Sequence, residues 1–189
     1  MRYAAIVLAG GSAKRMGGVL KPLLTVGGVP MLHRVLGAVA DADPIVVVGP
    51  SDLDSQLSGA LRTREEPPGG GPVAAIAAGM KLCGEAERIA VVAGDLPFLT
   101  AEALAELRGG GCAVYLDDDG RRQPMVAMWE AGALRSALAQ VHPRDCSMKD
   151  LLAAVDVAEV RWPGADLSKK PPWYDCDTPE ALREAEKWL

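Results

Sequence analysis

Three stretches of this chain are apolar almost without interruption and run into glycine: Tyr3 to Leu8 ahead of Gly10 and Gly11, Ile45 to Val48 ahead of Gly49, and RIAVVAGD, Arg88 to Asp95. A strand with one wet face alternates apolar and polar residues, so unbroken runs mean strands covered on both faces, the habit of parallel sheets with helices on either side. Helical spacing fills the intervals. Leu32, Val35, Leu36 and Val39 recur at i, i+3, i+4, i+7, and Val73, Ile76, Ala77 and Met80 share one face of GPVAAIAAGMKLC. Ala101 to Leu107 continues the alternation. Further strands are expected at Cys112 to Leu116, Pro124 to Trp129 and Val157 to Arg161, with helices at Ala131 to Val141 and Met148 to Val155. In DTPEALREAEKWL, Thr178 can cap a final helix, with Pro179 in its first turn and Leu182, Ala185 and Leu189 turned inward. The class this predicts is α/β: a single domain, residues 1–189, built on a mostly parallel, doubly wound sheet. Aromatic residues are only 4% of the chain, which suits close packing of small helices on a sheet better than a sandwich of large cross-strand pairs.

Charge and cysteine usage narrow the function classes. A net charge of -5 argues against a general nucleic-acid surface but not against a local cationic pocket. Cys83, Cys112, Cys146 and Cys176 show neither CxxC nor Cys/His spacing, so no zinc site or disulfide framework is expected, and a reducing cytoplasm is the simple reading. No apolar run approaches the roughly 20 residues that span a bilayer, and the early glycines interrupt any signal-peptide core, so no membrane partner is expected.

Chemistry is concentrated in IVLAGGSAKRMGGVLKPLL. Glycines directly after a strand free backbone N–H groups at the carboxyl edge of the sheet, where ligands of open α/β sheets bind. Neither GxxxxGK[ST] nor GxGxxG can be read from Gly10, Gly11, Gly17 and Gly18. What remains is a loop from Leu8 to Leu20 carrying Lys14 and Arg15, followed by Lys21, whose place before Pro22 favours an extended backbone. Three cations there suit a triphosphate; solvated charges on a surface loop are the plainer alternative. Asp95, at the end of a buried strand and before a Leu-Pro turn, suits a hard cation such as Mg²⁺, or else a turn or helix cap.

LAGGSAKRMGGVLKPLL resembles the signature of Rossmann-like nucleotidyltransferases, specifically the molybdenum cofactor guanylyltransferases. REEPPGGGPVAAIAAG, VVAGDLPFL and DCDTPEAL resemble further elements of that family in the same order. The resemblance implies a Rossmann-like fold with a nucleotide-binding half at roughly 1–100 and an acceptor-binding half at 101–189. It implies transfer of GMP from GTP to the terminal phosphate of molybdopterin, with release of pyrophosphate. Leu8, Ala9, Gly10, Gly11, Lys21, Glu66 and Asp95 would bind the nucleotide, and Arg15, Lys21 and Asp95 would carry catalysis. Mg²⁺ would sit on Asp95. Guanylyltransferases often carry Asn where this chain has Asp177, which leaves Asp177 open as a second ligand, and Glu65 stays open beside Glu66 as the acceptor of guanine N–H groups. Transient contact with proteins that donate or accept the cofactor belongs to the same picture.

Other polar residues divide between acceptor contacts and ordinary turn chemistry. Arg121 and Arg122 follow Asp117 to Asp119 at what reads as a hairpin tip; Ser147 and Lys149 open a helix. Cys176 has no adjacent His and reads as a buried small residue, so no covalent intermediate is expected. Three rivals remain: a molybdopterin cytidylyltransferase, sharing every phosphate and metal residue; another small nucleotidyltransferase, such as one for sugar phosphates, though those usually have a longer chain; and a nucleotide- or cofactor-binding carrier in which Lys21 and Asp95 are idle.

Overall fold

The computed structural model describes residues 2–10, 20–162 and 170–188. The three apolar runs are adjacent strands. β1 (Tyr3–Leu8) lies between β4 (Ile45–Val48) and β6 (Arg88–Ala93), parallel to both. With β5 (Leu61–Thr63), β7 (Cys112–Leu116), β8 (Arg122–Glu130) and β9 (Val157–Arg161) they form a seven-stranded sheet of order β5-β4-β1-β6-β8-β7-β9. Only β8 runs against the rest, pairing antiparallel with β6 and β7. A small hairpin, β2 (Thr25–Val26) and β3 (Val29–Pro30), stands apart from the sheet.

The two-residue period of β1 explains why its run is unbroken. Tyr3, Ala5 and Val7 enter one core with Leu32 and Val35 of α1 (Met31–Ala38) and Leu104 of α3 (Ala101–Glu106). Ala4 and Ile6 enter a second core on the opposite face, with Val73 and Ile76 of α2 (Gly71–Met80), Leu134 of α4 (Ala131–Gln140) and Leu151 of α5 (Met148–Ala153). Each fully buried Val, Leu or Ile among them contributes about 1.5 to 3 kcal/mol over leaving it in water. A third cluster, Val26, Met31, Cys176 and Ala185, fastens α6 (Pro179–Glu186) to the hairpin.

Chain order β1, β4, β5, then back across to β6 makes the space between β1 and β6 the point where the winding reverses. The carboxyl ends of these two strands splay their connections apart there and open a crevice. Gly94 keeps the two strand ends close: its N–H donates to the Leu8 carbonyl at 2.9 Å, and a Cβ at this position would stand 3.2 Å from that oxygen and from the Ala9 Cβ. Among the described residues no helix is long and apolar enough to cross a membrane.

Candidate functional site

A cavity of about 370 Å³ occupies that crevice, lined by Leu8, Gly10, Ala93 and Asp95 from the two strand ends and Lys21 from the following turn. The approach to α2 and its first turn also line it, with Glu65, Gly69, Gly71 and Pro72, as does Met125 of β8. Gly69 and Gly71 both adopt a φ of 85°, a conformation other residues rarely take, which lets the chain turn tightly into α2. The Glu65 carboxylate accepts the Gly69 N–H at 2.9 Å, so this side chain is fixed at the cavity wall. Glu66 is exposed and does not line this cavity; a neighbouring groove with Arg64, Lys81 and Arg144 is lined by both glutamates.

Lys21 opens a single 3-10 turn, Lys21–Leu23, where the sequence suggested extended backbone before Pro22. The turn tolerates proline because its two bonds, from Leu23 N–H to the Leu20 carbonyl and from Leu24 N–H to the Lys21 carbonyl, leave Pro22 with no donor to supply. Pro22 is buried, and Leu20 and Leu23 pack against the first core. The ammonium is thereby aimed at two carboxylates: Nζ donates to Asp95 Oδ2 at 3.0 Å and to Asp177 Oδ1. Its side chain is 14% exposed and that of Asp95 19%, against 59% for Asp177. Burial opposes the charge on Lys21, but the bonds to Asp177 and Asp95 outweigh it and hold the ammonium above its ordinary pKa.

Asp95 does not cap a helix. The next helix, α3, is capped by Thr100, whose side chain accepts the Ala103 N–H at 3.2 Å. Asp177 likewise precedes its helix, whose cap is Thr178, accepting from Ala181 N–H at 3.1 Å. Between Asp175 and Asp177, Cys176 is fully buried in the third cluster, which leaves the two flanking carboxylates outside it. Asp175 was not singled out from the sequence. Asp175 is exposed as a residue, but partial desolvation by its neighbours raises its carboxyl from the ordinary value, with the charges of Asp177 and Asp95 adding to the shift and Lys21 opposing it. The signal was present as acidic residues two apart around an apolar one.

Asp95 and Asp177 therefore meet at one point, already held by a cation. Among the described residues no three His, Cys, Asp or Glu side chains gather as a metal cage. Two carboxylates are nonetheless what Mg²⁺ commonly takes from a protein when phosphate oxygens and water supply the rest. The donor set fits that ion.

Of the sequence candidates, Leu8, Gly10, Lys21 and Asp95 line one cavity, and Ala9 is buried in the first core. Gly11, Lys14 and Arg15 lie outside the described residues. The remaining polar candidates are engaged in local chemistry. Arg121 pairs with Asp119 at 3.0 Å and Arg122 with Glu159 at 2.7 Å, around a turn in which Asp117 accepts N–H groups of Asp119 and Arg121. Ser147 and Asp150 form a reciprocal capping box on α5. Lys149 is exposed. Burial pushes the Cys176 thiol up to about 12 and the Cys83 thiol to about 11, which leaves both protonated and unreactive at neutral pH.

Residues 5–160 match the model of the MobA-like NTP transferase domain. A molybdenum cofactor guanylyltransferase of Bradyrhizobium sp. (strain ORS 278) is 30% identical over 197 residues, covering 96% of this chain and 91% of the relative. Another, from Rhodobacter capsulatus, is also 30% identical and covers 100% and 97%. Among solved structures, molybdopterin-guanine dinucleotide biosynthesis protein A from Archaeoglobus fulgidus superposes with a TM-score of 0.76 at 22% identity, covering 97% of each chain. 2-C-methyl-D-erythritol 4-phosphate cytidylyltransferase from Thermus thermophilus gives 0.74 at 21% identity, covering 99% and 98%. These two structures share the Rossmann-like fold with this chain.

Proposed function

The chain belongs to the family of MobA-like NTP transferase domains and is a nucleotidyltransferase, and from that premise we propose that it moves GMP from GTP to the terminal phosphate of molybdopterin. The observation that carries the proposal is the cavity at the β1 and β6 ends, lined by the Lys21 and Asp95 pair and by Glu65, whose carboxylate is tied to the Gly69 N–H. The pair suits polyphosphate and Glu65 the N–H edge of guanine. The names of the 30%-identical relatives support the same pair of substrates.

The reaction is an in-line displacement at the α-phosphorus. An oxygen of the acceptor phosphate forms the new P–O bond, and the bond to the β-phosphate oxygen breaks, its electron pair leaving with pyrophosphate. The acceptor oxygen is ionised near neutral pH, so no general base is required. Catalysis is positioning and charge stabilisation. Lys21 faces the cavity and is charged, ready to neutralise the departing phosphates. Gly10, in the cavity lining, keeps backbone close to the nucleotide without side-chain bulk. Arg15 is proposed as a second phosphate cation, on the strength of the family signature. Asp95 and Asp177 would hold Mg²⁺, which when bound supplies further neutralisation of phosphate charge.

The test is a panel: the protein, Mg²⁺, molybdopterin and each of the four NTPs, with pterin-dependent pyrophosphate release as the readout. GTP should give the fastest release. Equal or faster release with CTP would move the reading to a cytidylyltransferase, and nucleotide binding without turnover would leave a carrier.

A further inference from the structure

We infer that Lys21 is the resident counter-cation of the Asp95 and Asp177 pair, and that the pair takes up a divalent ion only when a polyphosphate draws Lys21 away. This rests on the nucleotidyl-transfer reading of the site. Both carboxylates already share one positive partner: Nζ bonds to each, at 3.0 Å in the case of Asp95. The three charges are therefore in one place, shielded on the side of Lys21 and Asp95, whose side chains are 14% and 19% exposed, and open on the side of Asp177. A divalent ion arriving alone meets a filled position and a like charge, which water screens poorly on the shielded side.

The arrangement is nonetheless easy to open. Lysine carries a compact charge on a flexible four-carbon stem, so the ammonium can leave while the backbone stays fixed. The backbone is fixed, by the buried Pro22 and by Leu20 and Leu23 packed on the core. Lys21 also lines the cavity, so the alternative partner, a polyphosphate, lies within reach of the same stem. Asp177 is 59% exposed, so once Lys21 leaves, one carboxylate of the pair already faces solvent and an incoming hydrated ion. After the exchange Lys21 holds phosphate, and the carboxylates and phosphate together hold the metal. Nucleotide and metal then bind cooperatively, beyond their own attraction, because the first removes an occupant from the site of the second. A lysine whose removal improves metal binding is the distinctive consequence.

Mn²⁺ serves as the probe, titrated calorimetrically into wild type, Lys21→Met and Lys81→Met, each alone and with a non-hydrolysable GTP analogue. Lys81 is an exposed cation at the far end of α2 and controls for net charge. Without nucleotide, Lys21→Met should bind Mn²⁺ at least roughly tenfold more tightly than wild type, the scale of one charge-assisted bond, while Lys81→Met matches wild type. The analogue should strengthen Mn²⁺ binding by a larger factor in wild type than in Lys21→Met. Unchanged metal affinity in a folded Lys21→Met, or equal gains in Lys21→Met and Lys81→Met, overturns the counter-cation role alone. A wild type that binds no analogue overturns the transferase reading, and the withdrawal of Lys21 by polyphosphate with it.

Discussion

At the scale of single residues, the site is a matter of where a few charges are held. Lys21 and Asp95 were legible because each sits at a strand or turn boundary next to glycine or proline, where side chains reach the sheet edge and not the core. The choice between Glu65 and Glu66 was not legible, since neighbouring residues point to different sides and the chain's course through the proline and glycine turn decides which meets the cavity. The structure puts Glu65 in the cavity lining, tied to Gly69, and leaves Glu66 out of it. Glu65→Gln keeps an acceptor for Gly69 but replaces the carboxylate proposed to accept guanine N–H groups by a neutral amide. It should cut the ratio of kcat/KM for GTP over CTP by roughly tenfold or more, the loss expected when a hydrogen bond loses its charge, and Glu66→Gln should leave that ratio alone. Steady-state kinetics on both variants checks this, and a preference that collapses only in Glu66→Gln would reverse the assignment.

At the scale of elements, the strands buried on both faces announced themselves, while the short ones did not. β5 offers only Leu61–Thr63, with its leucine exposed, and β2 and β3 have two residues each, too few for any periodicity to register. The reversed direction of β8 follows from the tight turn at Asp117 to Arg121, a link that can join antiparallel neighbours but is too short for a parallel crossover. Close approach of α2 to the sheet depends on Gly79: a Cβ there would come within 2.8 Å of Ile6 Cγ2 and 3.1 Å of Val48 Cγ2, both on stiff β-branched side chains. Gly79→Ala gains about 1 kcal/mol of helix propensity, but overpacking costs about 1 to 3 kcal/mol, so the clash should win. Denaturant titration should show a lower midpoint with unchanged slope; a more stable variant would mean that the helix yields to the methyl group at no cost.

At the scale of the whole molecule, the chain's end returns to its beginning. Asp177 reaches Lys21 because the third cluster packs Cys176 and Ala185 against Val26 and Met31, and Glu186 accepts the Gly27 N–H at 3.0 Å. Contacts between residues so far apart in sequence leave no local pattern, so the motif pointed to Asp177 without giving its partner. The buried phenols and thiols set a common pH response. Burial raises Tyr3, Tyr115, Cys83 and Cys176 in the folded state, so the unfolded chain ionises first as pH rises, and their contribution, full below the unfolded values near 9 to 10, is lost above them. Melting temperature should fall steadily above about pH 9 to 10, and less steeply in Tyr115→Phe; equal slopes would exclude Tyr115 from that response. The central claim, that the crevice between β1 and β6 is where nucleotidyl transfer occurs, rests most heavily on Asp95. Asp95→Asn keeps size and hydrogen bonding but removes the charge a hard cation needs, and Lys21 keeps Asp177 as its counter-ion. Losing one charge-assisted bond costs roughly 1 to 3 kcal/mol, at about 2 to 4 °C per kcal/mol for a chain of this size. The decisive measurement is pterin-dependent guanylyl transfer by Asp95→Asn, with its melting temperature read on the same sample. A folded protein whose turnover falls by orders of magnitude is the predicted result, and a folded protein that still transfers at the wild-type rate would contradict the account.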